Sequence, residues 1–304
     1  MDKNSKILAI YPKSIGGRLT MSSIFDGFLS LGYNLEFYDE LNPTKLDFSK
    51  FDYFLGYDFS AINLNGKKNI NYFSDVLYDP HSGENWQIHY QKLKDENNIS
   101  FYWDEELTKK ENNPRICYLP HFVNTDVYKD LNLEPKFDVI FAGRLDTDYR
   151  LNTFLEVLQN FKKVGYFAIE RHFLDAKNRL KQNAHLLDNV YQGFIDNEKD
   201  MALAINQAKV VINFNEQGVG SLNYRTIQTM ACKKVMLCDY RQEGVKLFGD
   251  DFIYYTDDLI EKIRFYIDNK PIKTLNSLRR VVEENFSHRA GVLRMVDFIN
   301  QMGF

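Results

Sequence analysis

A chain of 304 residues exceeds a typical single domain, and its 44% hydrophobic and 15% aromatic content is ample for two separate cores. Its formal net charge of −4 spreads 38 Lys and Arg among 42 Asp and Glu, which argues against nucleic acid as a partner because no basic stripe is there to contact phosphates. The opening apolar run at 7–11 is too short for a secretory signal core, and no segment approaches the length of an integral membrane span.

Strand-length apolar runs follow one another at 7–11, 35–38, 53–57, 70–73, 101–103 and 116–119, and a second series at 139–142, 164–169, 190–194, 210–214, 235–238 and 252–255. Helical patterns lie between many of them, one behind an expected Asp258/Glu261 capping box. Alternation of this kind predicts parallel sheets with helices on both faces, and two series predict two Rossmann-like domains. The break falls at 130–136, where Pro135 disfavours helix before it. Cys117, Cys232 and Cys238 sit in or beside apolar elements without paired spacing, so they read as reduced core thiols of a cytoplasmic protein and predict no metal site.

Several segments carry chemistry-bearing residues. After the first strand, Ser14-Ile15-Gly16-Gly17-Arg18 leads into a helix running to about residue 31; it lacks the third glycine of a dinucleotide fingerprint, and Asp39 or Glu40 at the second strand end is all that sustains a nicotinamide reading. Gly17 taken alone reads as part of a plain strand-to-helix turn. Downstream of the fourth strand, Asp75 or His81 is a candidate base for deprotonating a hydroxyl, the alternative being a capping Asp and a turn His. His121 beside Phe122 is a candidate ligand contact or a structural residue. Gly143 and Arg144 end the first strand of the second series, where Arg144 either meets an anion or pairs with Asp146 or Asp148 on the surface.

The most informative stretch is VINFNEQGVGSLNYRTIQTMACKKVMLCDY, from the end of one strand to the next. Its loop contains Glu216, Gly218, Gly220 and Ser221, with Ser221 or Asn223 able to cap the following helix. Arg225 stands in that helix's first turn, where a cation opposes the helix dipole unless an anion is present. Backbone N–H groups, a helix start and a guanidinium fork together suit a diphosphate. The other reading pairs Arg225 with Glu216 or Asp239.

This stretch resembles the nucleotide-sugar half of GT-B glycosyltransferases, and within them the spore-maturation or spore-coat type with its family 1/4-like C-terminal domain. That pattern has a strand ending in Asn, a glycine loop, Leu-Asn-x-Arg-x-x-Glu, a small-residue run and a strand ending in Asp-Tyr-Arg. Here stand Asn213, Leu222-Asn223-Tyr224-Arg225, Met230-Ala231-Cys232 and Asp239-Tyr240-Arg241. The departure is Gln228, an amide where the family usually carries a ribose-binding carboxylate; it can still donate to and accept from a hydroxyl but without charge.

The resemblance implies a GT-B fold: an acceptor-side domain over 1–134, a nucleotide-sugar domain over 135–285, and a final helix over 286–304 that returns to the first domain, with a cleft between the two domains. It implies metal-independent transfer of a sugar from a UDP- or GDP-sugar to an acceptor hydroxyl, with no cofactor. Gly143, Arg144, Gly220, Ser221, Leu222, Asn223, Arg225 and Gln228 would hold nucleotide and phosphate, while Gly16, Gly17, Arg18, His121 and Glu216 would contact sugar or acceptor. The acceptor would be a glycan, a lipid-linked molecule or a protein, so peripheral membrane contact stays open. The rival expectations are an epimerase or hydrolase of nucleotide sugars on the same fold, or a binding or scaffold protein that has lost its chemistry.

Overall fold

The computed structural model describes residues 1–57, 67–73, 97–215 and 221–304. Two wholly parallel sheets organise them. The first contains β1 (Ile7–Tyr11), β2 (Leu35–Asp39), β3 (Tyr53–Tyr57), β4 (Lys68–Phe73), β5 (Asn98–Tyr102) and β6 (Ile116–Tyr118) in the order β2-β1-β3-β4-β5-β6. The second contains β7 (Phe137–Ala142), β8 (Val164–Phe167), β9 (Ala208–Asn213), β10 (Val235–Asp239) and β11 (Tyr254–Tyr255) in the order β11-β10-β9-β7-β8. In register, Ile7 stands beside Leu35 and Tyr53, and Val139 beside Val164 and Val210. Both faces of the central strands are covered, which is why β1, β3, the Val210–Ile212 stretch of β9 and most of β10 read as apolar runs rather than alternating ones.

The helices described are α1 (Ile15–Ser30), α2 (Glu105–Glu111), α3 (Asp148–Asn160), α4 (Glu170–Leu180), α5 (Ala184–Asp188), α6 (Glu198–Asn206), α7 (Tyr224–Ala231), α8 (Gln242–Phe248), α9 (Leu259–Asp268), α10 (Ile272–Asn285) and α11 (His288–Gln301). Local chemistry sets several of their starts. Ser14, Thr147, Asn197 and Ser287 each accept a backbone N–H from three residues on, the N-cap bond that polar residues before a helix are suited to make.

Two local expectations fail. Residues 190–194 form no strand: the segment runs beside β8, with Tyr191 bridging Tyr166 and Gly193 O accepting from Ala168 N at 3.1 Å, and Gly193, at φ +87°, interrupts the extended backbone a strand needs. The Asp258/Glu261 capping box does not form either, because the Asp258 carboxylate accepts from Thr256 N at 3.1 Å and pairs with Lys262 at 3.2 Å.

The chain divides into two compact units: Met1–Asn124, Gln217–Tyr224 and Glu283–Phe304 in unit 1, and Thr125–Glu216 with Arg225–Val282 in unit 2. Unit 2 therefore begins upstream of the 130–136 break read from composition. Arg279 donates to the carbonyls of Thr125, Tyr128 and Ala231, Asn206 Nδ2 donates to Lys129 O at 2.9 Å, and Leu131 N donates to Asn206 Oδ1 at 2.8 Å. These bonds stitch the segment after Thr125 to unit 2 before Pro135 is reached. Burial pushes the Cys232 thiol up to about 12 and raises those of Cys117 and Cys238, as suits protonated core cysteines.

The final helix α11 belongs to unit 1, as the fold class implies. Residue 123 bonds the segment leading into it, with Val123 N donating to Phe286 O at 2.9 Å and His288 N to Val123 O at 2.8 Å. Glycines permit the close approach of α11. A Cβ on Gly27 of α1 would lie 2.5 Å from His288 O, and one on Gly291 would lie 2.4 Å from the Phe122 ring. Gly27→Ala is expected to cost about 1–3 kcal/mol by overpacking this contact, whereas Gly16→Ala, with nothing within 4 Å of its Cβ, should leave the urea midpoint unchanged or raised. Equal midpoints for wild type and Gly27→Ala would refute the close-packing argument.

Candidate functional site

In unit 2 the strand order reverses direction at β7, which lies between β8 and β9, and the carboxyl ends of β7 and β9 are where an open sheet of this kind forms its ligand crevice. The chain leaves β7 through Gly143-Arg144 and leaves β9 through Phe214-Asn215. Arg150 of α3 ties the two exits together. It is only 7% exposed, and its guanidinium donates to Arg144 O at 3.5 Å, to Phe214 O at 3.3 Å and to the Asp146 carboxylate at 3.1 Å. Its backbone N–H is the one that the Thr147 cap accepts, so the helix start and the fork are set together.

Arg144 itself is on the surface. Its side chain is 46% exposed and pairs with Asp146 at 3.4 Å, an ion pair of small stabilising value that an anion could replace. Gly143 donates its N–H to Phe167 O at 3.0 Å, which fixes the exit of β7 against β8.

Past β9 a polar network is built under the loop. Asn213 Nδ2 donates to Asn215 Oδ1 at 3.1 Å and Thr226 Oγ1 at 3.2 Å, and Asn215 N donates to Asp239 Oδ1 at 2.7 Å. The other Asp239 oxygen accepts from Arg241 at 2.6 and 2.8 Å. Asp239 is thus engaged by Arg241 and Asn215.

Arg225 instead donates from Nη1 to Gln228 Oε1 at 2.5 Å, one turn along α7, and Gln228 Nε2 donates to Tyr128 Oη at 2.5 Å. Gln228 is 1% exposed and both ends of its amide are engaged, so a ribose hydroxyl would have to displace one of these bonds. Burial, with Glu198 adding to it, holds the Tyr128 hydroxyl well above its ordinary pKa, so it stays neutral and accepts from the amide. The Arg279 bond to Tyr128 O fixes the far end of this chain of groups.

Ser221 and Leu222 are buried and Asn223 half-buried, and with Tyr224 they group with unit 1. There the Tyr224 hydroxyl lies 2.8 Å from Ser23 Oγ and its ring meets His121 edge-on at 5.7 Å. His121 stacks on Trp103 at 5.0 Å, and its Nδ1 is 2.9 Å from the Tyr72 hydroxyl. Burial lowers its pKa to about 3, so the imidazole is neutral at physiological pH.

The other unit 1 candidates lie at the β1 exit, beside the β1/β3 switch point. Gly17 donates to Ser14 Oγ at 3.2 Å, and a Cβ there would lie 2.6 Å from the Tyr57 ring, so its absence lets α1 start close against β3. Gly16 is exposed. Arg18 pairs with Asp39 at the end of β2 and lies over the Tyr11 ring, and its hydrogen bond holds the Asp39 carboxyl below the ordinary range. The acid that sustained a nicotinamide reading is thereby engaged by Arg18. Asp75, His81, Glu216 and Gly220 lie outside the described residues.

Tyr128, Arg150, Arg279, Trp103 and Tyr72 were not singled out by sequence. Only Arg150 left a usable signal, its i,i+4 spacing from Asp146. Among the described residues, no group of three or more His, Cys, Asp or Glu could hold a metal ion, and no helix is long and apolar enough to cross a membrane.

Residues 153–291, most of unit 2 and the start of α11, match a family described as glycosyl transferase-like. The fold recurs in solved structures across nearly the whole chain. A glycosyltransferase from Rickettsia africae is 14% identical with a TM-score of 0.66, covering 98% of each chain. A sucrose-phosphate synthase from Thermosynechococcus elongatus is 12% identical with a TM-score of 0.68, covering 99% of each. An α-glucosyltransferase solved with UDP-glucose and DNA containing an abasic site is 11% identical with a TM-score of 0.63, again covering 99% of each. Comparison with curated protein sequences gives no match. Fold and site define a GT-B architecture of two Rossmann-like units. Within it, the glycosyl transferase-like family match covers 153–291, the greater part of unit 2.

The buried His121 makes the fold sensitive to acid in a predictable direction. Above about pH 6.5 the imidazole is neutral whether the chain is folded or not; between there and about pH 3 the unfolded chain takes up a proton that the folded one refuses, so stability falls as pH falls. At pH 5 this amounts to about 2 kcal/mol. Urea unfolding at pH 7 and pH 5 should show a smaller acid loss for His121→Phe than for wild type; equal losses would show that His121 does not titrate this way.

Proposed function

We propose that this chain is a glycosyltransferase that moves a sugar from a nucleoside diphosphate sugar, a UDP- or GDP-sugar, to an acceptor hydroxyl, without a metal or other cofactor. The observation that carries the reading is the Arg225–Gln228–Tyr128 chain: a guanidinium in the first turn of the helix that leaves the carboxyl edge of the sheet, held in place by a buried amide. A cation there is unfavourable for the helix alone and favourable beside a diphosphate.

In this reading the donor phosphates meet Arg225, Arg144 and the backbone of Gly143 and of 220–223. The two cations stabilise the negative charge that develops on the leaving diphosphate as the glycosidic bond breaks. Gln228 acts through Arg225 as a positioning residue, which explains how an amide serves where the resembling family carries a carboxylate. Gly16, Gly17, Arg18, His121 and Glu216 line the sugar and acceptor side, and Asp75 or His81 takes the acceptor's proton. His121, neutral at physiological pH, contributes as a hydrogen-bonding ring rather than a charge. The acceptor is a glycan, a lipid-linked molecule or a protein, met in the cytoplasm.

The neighbour solved with UDP-glucose gives UDP first place in a thermal-shift panel with GDP, CDP, dTDP, ADP and NAD. A nucleotide at about 100 times its dissociation constant adds roughly 2.7 kcal/mol, and that gain should appear in wild type and shrink in Arg225→Ala. Arg225→Ala should also lower turnover about tenfold or more. Normal turnover in a folded Arg225→Ala would remove the phosphate assignment, and donor breakdown that ignores every acceptor would move the chain to the hydrolases. Gln228→Leu should approach the Arg225→Ala value of kcat/KM and Gln228→Glu, which keeps an acceptor for Nη1, should recover it; wild-type kinetics in Gln228→Leu would end the positioning role.

A further inference from the structure

At the opposite edge of the unit 2 sheet lies a cavity of about 280 Å³ that the proposed chemistry does not use. Ala208 opens β9 and Lys234 immediately precedes β10, so the cavity sits under the amino ends of the strands. The six residues of β9 separate it by roughly 20 Å from the edge where the donor is placed. One wall is apolar, with Tyr266, Ile267, Leu133 and Pro135; the rest carries Lys209, Lys234 and Lys270.

Lys234 is the unusual member. It is 5% exposed, and among the described residues its ammonium has no hydrogen bond or ion pair. The nearby carboxylates are engaged elsewhere: Asp138 pairs with Lys209 at 2.8 Å, and Asp130 accepts from Asn132 N at 3.0 Å. Lys270 adds a like charge, and burial with this repulsion lowers the Lys234 pKa, Asp130 opposing only in part. Three lysines against two aspartates leave one positive charge in excess at a concave, partly apolar site. Burial of the side chain disfavours the charged form of Lys234 and Asp130 offsets this only in part, so an anion in the cavity would offset the remainder.

We propose that this cavity is a second ligand site, which takes a small organic anion with its carboxylate or phosphate monoester on Lys234 and Lys270 and its apolar body against Tyr266 and Ile267. Because it lies at the far edge of the sheet, it fills independently of the donor site.

The test is a thermal-shift and calorimetric titration of the full chain with phenyl phosphate, benzoate, inorganic phosphate and, as the uncharged control, benzyl alcohol. Phenyl phosphate or benzoate should raise the melting temperature of wild type and of Arg225→Ala alike, and benzyl alcohol should not. Lys234→Met, which keeps the stem and removes the charge, should melt higher without ligand and lose the response. The exposed Lys270→Ala, which leaves the core intact, should weaken binding several-fold. The proposal is overturned if neither organic anion stabilises wild type, if the response survives in Lys234→Met, or if Lys270→Ala binds as wild type does. Inorganic phosphate binding as well as phenyl phosphate would overturn the organic ligand. Loss of the response in Arg225→Ala would mean that the probes occupy the donor site instead.

Discussion

Arginine forks closed on backbone carbonyls are the constraint on which unit 2 depends. Arg150 joins the exits of β7 and β9, and Arg279 joins the segment after Thr125 to the end of α7. A guanidinium is suited to this because its planar donors reach several acceptors at once and it stays charged when buried. Loops at the carboxyl edge of a parallel sheet have no ladder of their own to hold them. Here two forks do what the ladder cannot, so the strand exits at the crevice are fixed before any ligand arrives.

Fixing a group through hydrogen bonds rather than through a counter-charge also explains Gln228. A carboxylate at this position would give Arg225 a full counter-charge and leave Tyr128 to donate rather than accept. The two ends of the amide act separately. Its oxygen orients Arg225, its nitrogen satisfies a buried hydroxyl, and the amide itself brings no negative charge to the guanidinium. A cation oriented by an amide at a helix start is the kind of group a diphosphate site uses.

The sheets were legible because fully buried parallel strands are written as apolar runs: 7–11 and 53–57 match β1 and β3 residue for residue. Where a run ended in a left-handed glycine, as at Gly193, the apolar pattern overstated the strand. The division between the units lies upstream of the Pro135 break for a different reason. Pro135 marks a local break in the chain, but the units are separated by long-range bonds from Arg279 and Asn206, which no local signal encodes. Site residues divide along the same line. Arg225 and Gln228 share a helix turn and could be read from spacing, while Tyr128, 100 residues from its partner, could not.

The unit 2 sheet therefore presents cations at both edges under opposite conditions. At the carboxyl edge the described guanidiniums are oriented by bonds to carbonyls, an amide or a carboxylate, a preorganised surface whose charge needs no rearrangement to meet an anion. At the amino edge the largely buried Lys234 has only the partial opposition of Asp130 to its desolvation, and the fold carries that cost. A supported cation is what a reaction uses, since the field must stand ready while charge develops. An unsupported one is what a binding equilibrium uses, since relief of its burial adds to the affinity of whatever anion arrives.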